Sequence, residues 1–337
     1  TAFFIPSLMS KLSSRLIKET ARRLGFSACG LAHPGPLPAW REAEWRRFLL
    51  EGRHAEMNYL EKHLEKRLNP CLLLDGARTM VCIALNYAHS LASPRDETPD
   101  ENEENEWKLA RYAYGDDYHD VMKQKLRLFL HELGLEEGAE ARVFADTAPI
   151  DEKFWAMRAG LGAIGRNTQL ILPQAGSYFF LGEMLLTAEA DTYDDTTAHA
   201  ATKNVPLALC GNCRACIEAC PTKALDGKGG MDAGRCLSYL TIEHRGALPP
   251  GTGFAMKDCF YGCDRCAEAC PWNRRFAQET NCPELMPRPA LTAMQREDWM
   301  KLSREDYTRL FRKSAVKRAK FEGIRRNIDA LTEENSR

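Results

Sequence analysis

Apolar positions recur at helical spacing through residues 10–24, SKLSSRLIKETARRL, where Leu12, Leu16, Ile17 and Leu24 predict an amphipathic helix ended by Gly25. GFSACGLA then reads as a strand. Past the proline-rich turn PGPLP, residues 39–50 and 55–66 are expected to be helical, and TMVCIALNYA (79–88) has the near-continuous apolar run of a buried strand. A helix over 118–133 follows, then a strand in ARVFADTAPI that ends in a polar turn at Asp146. FWAMRAGLGAIGRNTQLILP predicts a helix, a glycine-rich turn and a strand, and GSYFFLGEMLLT a further strand. Helices and strands alternate, the pattern of an α/β domain.

Two polar stretches interrupt this order. Residues 93–106, SPRDETPDENEENE, set seven acidic side chains and two prolines against one arginine, which predicts a solvated loop. Residues 189–206 are apolar-poor and end in Pro206, and the boundary is placed there. The division is then 1–206, a cysteine-rich unit over 207–275, and a basic helical segment over 276–337. Within the last, LMPRPALTAM reads as irregular and 303–331 as a helical pair with Ser303 as N-cap.

At 337 residues, 44% hydrophobic and 28% charged, the chain is long enough for two domains and a sizeable core. No apolar run reaches the roughly 18–20 residues of a membrane span. The opening TAFFIPSLMSKLSS lacks the basic and long apolar regions of a signal peptide, so a cytoplasmic protein is expected, with Met9 a candidate start and residues 1–8 extra. The formal net charge of −1 gives no global sign of polyanion binding. Locally, residues 301–326 carry ten Lys or Arg against three acids, a face for solvent or for phosphates.

Thirteen cysteines change the picture most. CGNCRACIEACP places Cys210, Cys213, Cys216 and Cys220 at C-x2-C-x2-C-x3-C-P spacing, and GCDRCAEACPWN repeats it in Cys263, Cys266 and Cys270, with Cys259 four residues ahead. Soft thiolates two residues apart wrap one side of an iron–sulfur cubane, and in paired units the cysteine before proline crosses to the other cluster. Two 4Fe–4S clusters are therefore expected. One takes Cys210, Cys213, Cys216 and Cys270; the other takes Cys220, Cys263 and Cys266 with either Cys236 or Cys259, which spacing leaves open. Zinc is the rival metal, but this run is unusual for a tetrahedral site. Cys29 and Cys82 fall in apolar strand patterns as small core residues, and Cys71 and Cys282 are isolated.

Clusters carry electrons and do little chemistry alone, so the region before them is expected to hold the acceptor. No dinucleotide fingerprint opens a strand-to-helix turn; GLGAIG (160–165) follows a helix and precedes a strand, and reads either as a close approach to a flat ligand or as a tight turn. The ordered set HAEMNYL, KRLNP, RYAYGDDYH, ADTAPIDEK, RAGLGAIGRNT, GSYFFLGEMLLT, the two cysteine runs and CLSYLTIEHRG resembles the epoxyqueuosine reductase family over about residues 10–330.

The resemblance implies a cobalamin-dependent iron–sulfur enzyme that reduces epoxyqueuosine to queuosine at the wobble position of tRNA. It implies Cys236 as the remaining cluster ligand, Asp146 as the acid, and Arg67, Tyr112, Asp146, Arg166, Asn167, Leu170, Leu181 and Thr222 as corrin contacts. Arg166 stands where the family often has lysine. In a poorly solvated pocket the Asp146 pKa is expected to rise; its plainer role is to N-cap the next helix, which Asp151 would serve equally well. No histidine sits in a D-x-H-x-x-G context, so the cobalt is expected to lack a protein histidine, with His33, His54, His63 and His89 at the surface or in caps. The tRNA surface is expected to join loop 226–230, His244 and Arg245 to the basic segment. A monomer and a low-potential electron donor are expected. The alternatives are a corrinoid reductive dehalogenase, which generally carries a twin-arginine export signal, and a ferredoxin-like carrier, against which the long first domain argues.

Overall fold

The computed structural model describes residues 11–90, 107–195 and 207–334. The acidic loop 93–106, residues 1–10 and most of the polar boundary stretch lie outside them. Helix α1, Ser14–Arg23, is capped by Ser13 and buries Ile17 and Ala21. Then come β1 Ala28–Ala32, α2 Ala39–Leu50, α3 Leu64–Leu68, β2 Thr79–Asn86 and β3 Lys108–Leu109. After these are α4 Tyr118–Glu132, β4 Ala141–Phe144, α5 Glu152–Arg158, β5 Ala163–Ile164, β6 Leu170–Ile171, β7 Phe179–Leu186 and β8 Cys259–Tyr261.

Four strands form the main sheet in the order β1-β2-β7-β4, and every neighbouring pair is antiparallel. Helices do alternate with strands, as the pattern predicts, but the connections return the chain in the opposite direction instead of making parallel crossovers. Both faces are covered. Val81, Ile83, Phe180, Met184 and Leu186 pack with Ile17, Met122 and Phe129, while Met80, Cys82, Phe144 and Leu185 pack with Phe154, Trp155 and Met157. That double burial explains why β2 reads as a continuous apolar run. A Cβ on Gly30 would lie 1.9 Å from the Ala159 carbonyl oxygen, so β1 needs glycine where α5 ends against it.

The helix expected over 55–66 is present only at its end, where α3 begins at Leu64. Asn58–Leu60 forms a 3-10 turn, and Ala55 and His63 take positive φ on either side. Ala55 and Met57 pack on one core and Leu64 on another, so one straight helix cannot serve both. The segment read as irregular, 285–294, also contains a short helical turn at Pro289–Thr292.

A second core gathers Trp107, Leu109 and Tyr114 with Leu237, Phe260, Trp299, Phe311 and Ile328. Its N-terminal contributor, β3, pairs in parallel with β8. The helical pair follows as Arg304–Leu310 and Lys320–Glu334, joined by a 3-10 turn, with Ser303 capping through a 3.0 Å bond from the Asp306 N–H. Asn327, fully buried, donates to the carbonyls of Thr241 and Phe260 at 2.8 and 2.9 Å. Those carbonyls lie on the segments that carry Cys236 and Cys263, so the C-terminal helix braces the cysteine loops.

Candidate active site and metal centres

Each cysteine run turns into a one-turn helix, Ala215–Glu218 or Arg265–Glu268, and ends at a Cys–Pro step. Cys210, Cys213, Cys216 and Cys270 line one cavity of about 150 Å³ together with Arg166, Asn167 and Trp272. Burial pushes the Cys216 thiol up, and the neighbouring Cys210, Cys270 and Cys213 push it further. Cys270, from the second run, lies with the three cysteines of the first.

Cys220, Cys236, Cys263 and Cys266 gather separately. Burial raises Cys266 first, then Cys263 and Cys236, with Cys220 also contributing. Cys236 in turn feels Cys220. Cys259 instead turns into the core, its thiol 3.4 and 3.6 Å from the carbonyl oxygens of Tyr261 and Gly262. All thirteen cysteines are free, and among the described residues no group is closed tightly enough to hold a single metal ion. The two quartets fit a thiolate-held cluster each. Backbone donors already point at two of the sulfurs, Arg166 N–H at Cys210 (3.4 Å) and Ala224 N–H at Cys220 (3.3 Å), and such donors favour thiolate.

Asp146 lies two residues past the end of β4 in a left-handed conformation, φ 56°. This bends its carboxylate towards α4, where the Tyr118 hydroxyl donates to it and His119 Nε2 lies 3.2 Å away. The other His119 nitrogen is 2.7 Å from Asp117, which N-caps α4. Tyr118 stacks flat on Phe180, centroids 4.0 Å apart, and meets Tyr112 edge-on at 5.9 Å. The Asp146 side chain remains 54% exposed, open to a substrate. Asp151 caps α5 and pairs with Arg41 at 2.6 Å, so Asp146 has no capping duty.

The electrostatics correct one expectation. Burial alone would raise the Asp146 pKa, but the His119 and Tyr118 hydrogen bonds and the His119 charge outweigh it, and the carboxyl is held below its usual range. Burial would likewise lower His119, but Asp117 and Asp146 raise it to about 9. At neutral pH the proton of this group therefore resides on the imidazole.

The remaining site residues divide between two places. Arg67 is buried over the Trp45 ring, donates to the Ile150 carbonyl at 3.2 Å and leaves its Nε without a partner. Tyr112 is half-buried beside Tyr118 and bonds the Tyr261 hydroxyl at 3.2 Å. Leu170 is buried in β6, and Leu181 is half-buried on β7. Arg166 reaches the carbonyls of Gly227 and Gly211 at 2.7 and 2.8 Å, again with an orphaned buried Nε. Asn167, next along, reaches the Cys266 carbonyl at 3.5 Å, so these two residues touch both quartets. Thr222 lies 3.8 Å from the Cys220 sulfur. The glycine turn is a tight one: β5 and β6 form a hairpin, and a Cβ on Gly162 would sit 2.1 Å from the Ile171 carbonyl oxygen.

His54 and His89 are buried, not superficial; His54 pairs with Glu61 at 2.9 Å and His89 with the Arg111 carbonyl at 2.9 Å. Many cations of the basic segment are committed internally. Arg304, Arg309, Arg318 and Arg325 form ion pairs, and Arg326 holds the carbonyls of Leu240, His244 and Gly246. His244 and Arg245 are also occupied, with Glu56 and the Arg318 carbonyl. Lys301, Arg312, Lys313, Lys317 and Lys320 stay exposed. Sequence reasoning missed Tyr118 and His119 although both lie in the quoted run RYAYGDDYH; the capping Asp117 was the available signal, because it fixes His119 one position inside the helix.

Fold and cysteines together define a double-cluster 4Fe–4S protein, and residues 209–273 match the family described as a 4Fe-4S double cluster binding domain. Residues 67–147 match the family described as "Epoxyqueuosine reductase QueG, DUF1730". An epoxyqueuosine reductase from Cellulophaga algicola is 38% identical over 322 residues, 94% of this chain and 97% of that protein. The structure of epoxyqueuosine reductase from Streptococcus thermophilus matches with TM-score 0.78 and 28% identity over 95% of this chain and 81% of that one. A crystal structure of epoxyqueuosine reductase with a tRNA-Tyr epoxyqueuosine-modified stem loop matches with TM-score 0.77 and 28% identity, covering 94% and 80%. The chain belongs to the epoxyqueuosine reductase family.

Proposed function

We propose that this oxidoreductase reduces epoxyqueuosine to queuosine at the wobble position of tRNA, using two 4Fe–4S clusters and cobalamin. The observation that carries the reading is the presence, in a member of this family, of two cysteine quartets and of an exposed carboxylate backed by a protonated imidazole. Removing an epoxide oxygen to leave an alkene consumes two electrons and two protons and releases water. A bound corrin would supply a metal that accepts electrons one at a time and reduces a strained epoxide.

The chain's own residues bind and protonate. The orphaned Nε donors of Arg67 and Arg166 fit the amide carbonyls of a corrin, while Tyr112, Leu170 and Leu181 offer apolar surface and Asn167 and Thr222 polar contacts. Asp146 relays to the leaving oxygen the proton held on His119, and the Tyr118 hydroxyl orients the Asp146 carboxylate. Cys210, Cys213, Cys216 and Cys270 hold one cluster; Cys220, Cys236, Cys263 and Cys266 hold the other. The working division is 1–206 for corrin and substrate, 207–275 for the clusters, and 276–337 as brace and tRNA surface. The exposed Lys301, Arg312, Lys313, Lys317 and Lys320 supply phosphate contacts for tRNA. Among the described residues no helix is long and apolar enough to cross a membrane. A cytoplasmic monomer served by a low-potential donor completes the proposal.

The test is reconstitution with iron, sulfide and cobalamin, a strong reductant, and epoxyqueuosine-containing tRNA, followed by nucleoside analysis. Conversion to queuosine is expected. Intact clusters and bound corrin without conversion would defeat the reading and favour an electron carrier.

A further inference from the structure

Among the described residues two aromatic side chains are exposed, Tyr59 at 46% and Phe254. A lone exposed ring is ordinary on a protein surface, but the setting of Tyr59 is not. It lies on the Asn58–Leu60 turn, whose flanks are anchored apart: Met57 packs on the second core and Leu64 on the sheet side. The turn therefore spans the seam between the two cores and holds its ring over neither.

The Arg318 guanidinium lies over that ring, 5.5 Å from its centroid. Arg318 is itself fixed, donating from Nε and Nη2 to the Glu243 carboxylate at 2.8 Å each, while its carbonyl accepts from Arg245 at 2.9 Å. A ring backed by a locked planar cation loses little freedom when a ligand arrives. On the sheet side, Arg67 of α3 donates to the Ile150 carbonyl in the loop that carries Asp146. Burial first, and then Glu243, raise the Tyr59 hydroxyl, and the charges of Arg318, Asp146 and Arg67 also reach it. Lys317 and Lys320, on either side of Arg318 in the chain, are exposed. Tyr59 thus stands between the Asp146 corner and the free cations of the basic segment.

A base that enters a pocket must leave its stack, and this bares the faces of its neighbours to water. An aromatic ring beside phosphate-binding cations restores the lost stacking. We propose that Tyr59, backed by Arg318, is the stacking platform for the nucleobase next to the wobble nucleotide while the wobble base lies at Asp146. This rests on the function proposed for the chain. Every base has a flat face, so the platform supplies affinity and position and leaves sequence choice to other contacts.

The test is binding of an anticodon stem loop to the holoenzyme, followed by fluorescence anisotropy. Tyr59→Ala should weaken binding by about 5- to 150-fold, the worth of one base–aromatic stack, and Tyr59→Leu, which keeps the bulk, should lose as much. Tyr59→Trp should restore it. Iron and corrin contents and the salt slope should not change, because no phosphate contact is removed. In stem loops made abasic just before or just after the wobble position, one of the two should abolish the cost of Tyr59→Ala, a coupling that a merely distorted turn would not produce. Wild-type affinity in Tyr59→Ala, the full loss on both abasic loops, or a fall in corrin content overturns the platform and leaves the reductase reading intact. A wild-type holoenzyme that binds no stem loop overturns that reading and the platform with it.

Discussion

The cysteine loops and the Asp146 corner gather their groups by different means. In the loops, ligands stand three or four residues apart on the same short turn, and only the exchange at the Cys–Pro steps and the visit of Cys236 are long-range. At the corner, Tyr118 and His119 come from α4, Asp146 from just past the end of β4 and Glu152 from α5; the packing of the two helices against the sheet brings them together. Electron handling is thus written locally and proton handling globally. The two should fail separately.

The largest separation is expected from the disputed ligand. Cys236→Ser should lower the iron content from about eight to about four per chain and abolish turnover, whereas Cys259→Ala should keep both clusters. Iron analysis showing the reverse would exchange their roles. Next, Asp146→Asn should leave iron and corrin content unchanged and cut turnover by about 10²–10⁴; an unaltered rate removes Asp146 as the acid. Asn327→Leu orphans two buried carbonyls and should cost about 2–3 kcal/mol of stability by denaturant titration, loosening the cysteine side more than the sheet.

The smallest effect is a pH dependence confined to the acid corner. Because the folded-state pKa of His119 is about 9, above its ordinary 6.5, the stabilisation is complete below about pH 6.5 and is lost as pH rises through about 9. Its size, discounted for partial solvent access, is about 1–2 kcal/mol. His119→Gln should flatten that slope in equilibrium unfolding, and an unchanged slope would place the titrating group elsewhere.

Much of the fold was readable. The apolar run at 79–88 is the central strand β2, Ser303 caps its helix, Asp151 caps α5, and Cys82 is core. These features depend on neighbours in sequence: side-chain periodicity, a cap three residues from its donor, burial on both sides of a strand. The segment 55–66 misled because apolar residues at helical spacing were shared between two cores.

What the chain by itself determined is the metal-binding register, since a thiolate repeat needs little beyond local geometry to wrap a cluster. Tertiary structure decided the antiparallel strand order, the internal use of Arg318 and Arg326, and the charge state of the Asp146 corner. Strand direction and pKa both depend on which distant group arrives alongside. Asp146 carries the same carboxyl in either reading; the imidazole across from it sets where the proton rests.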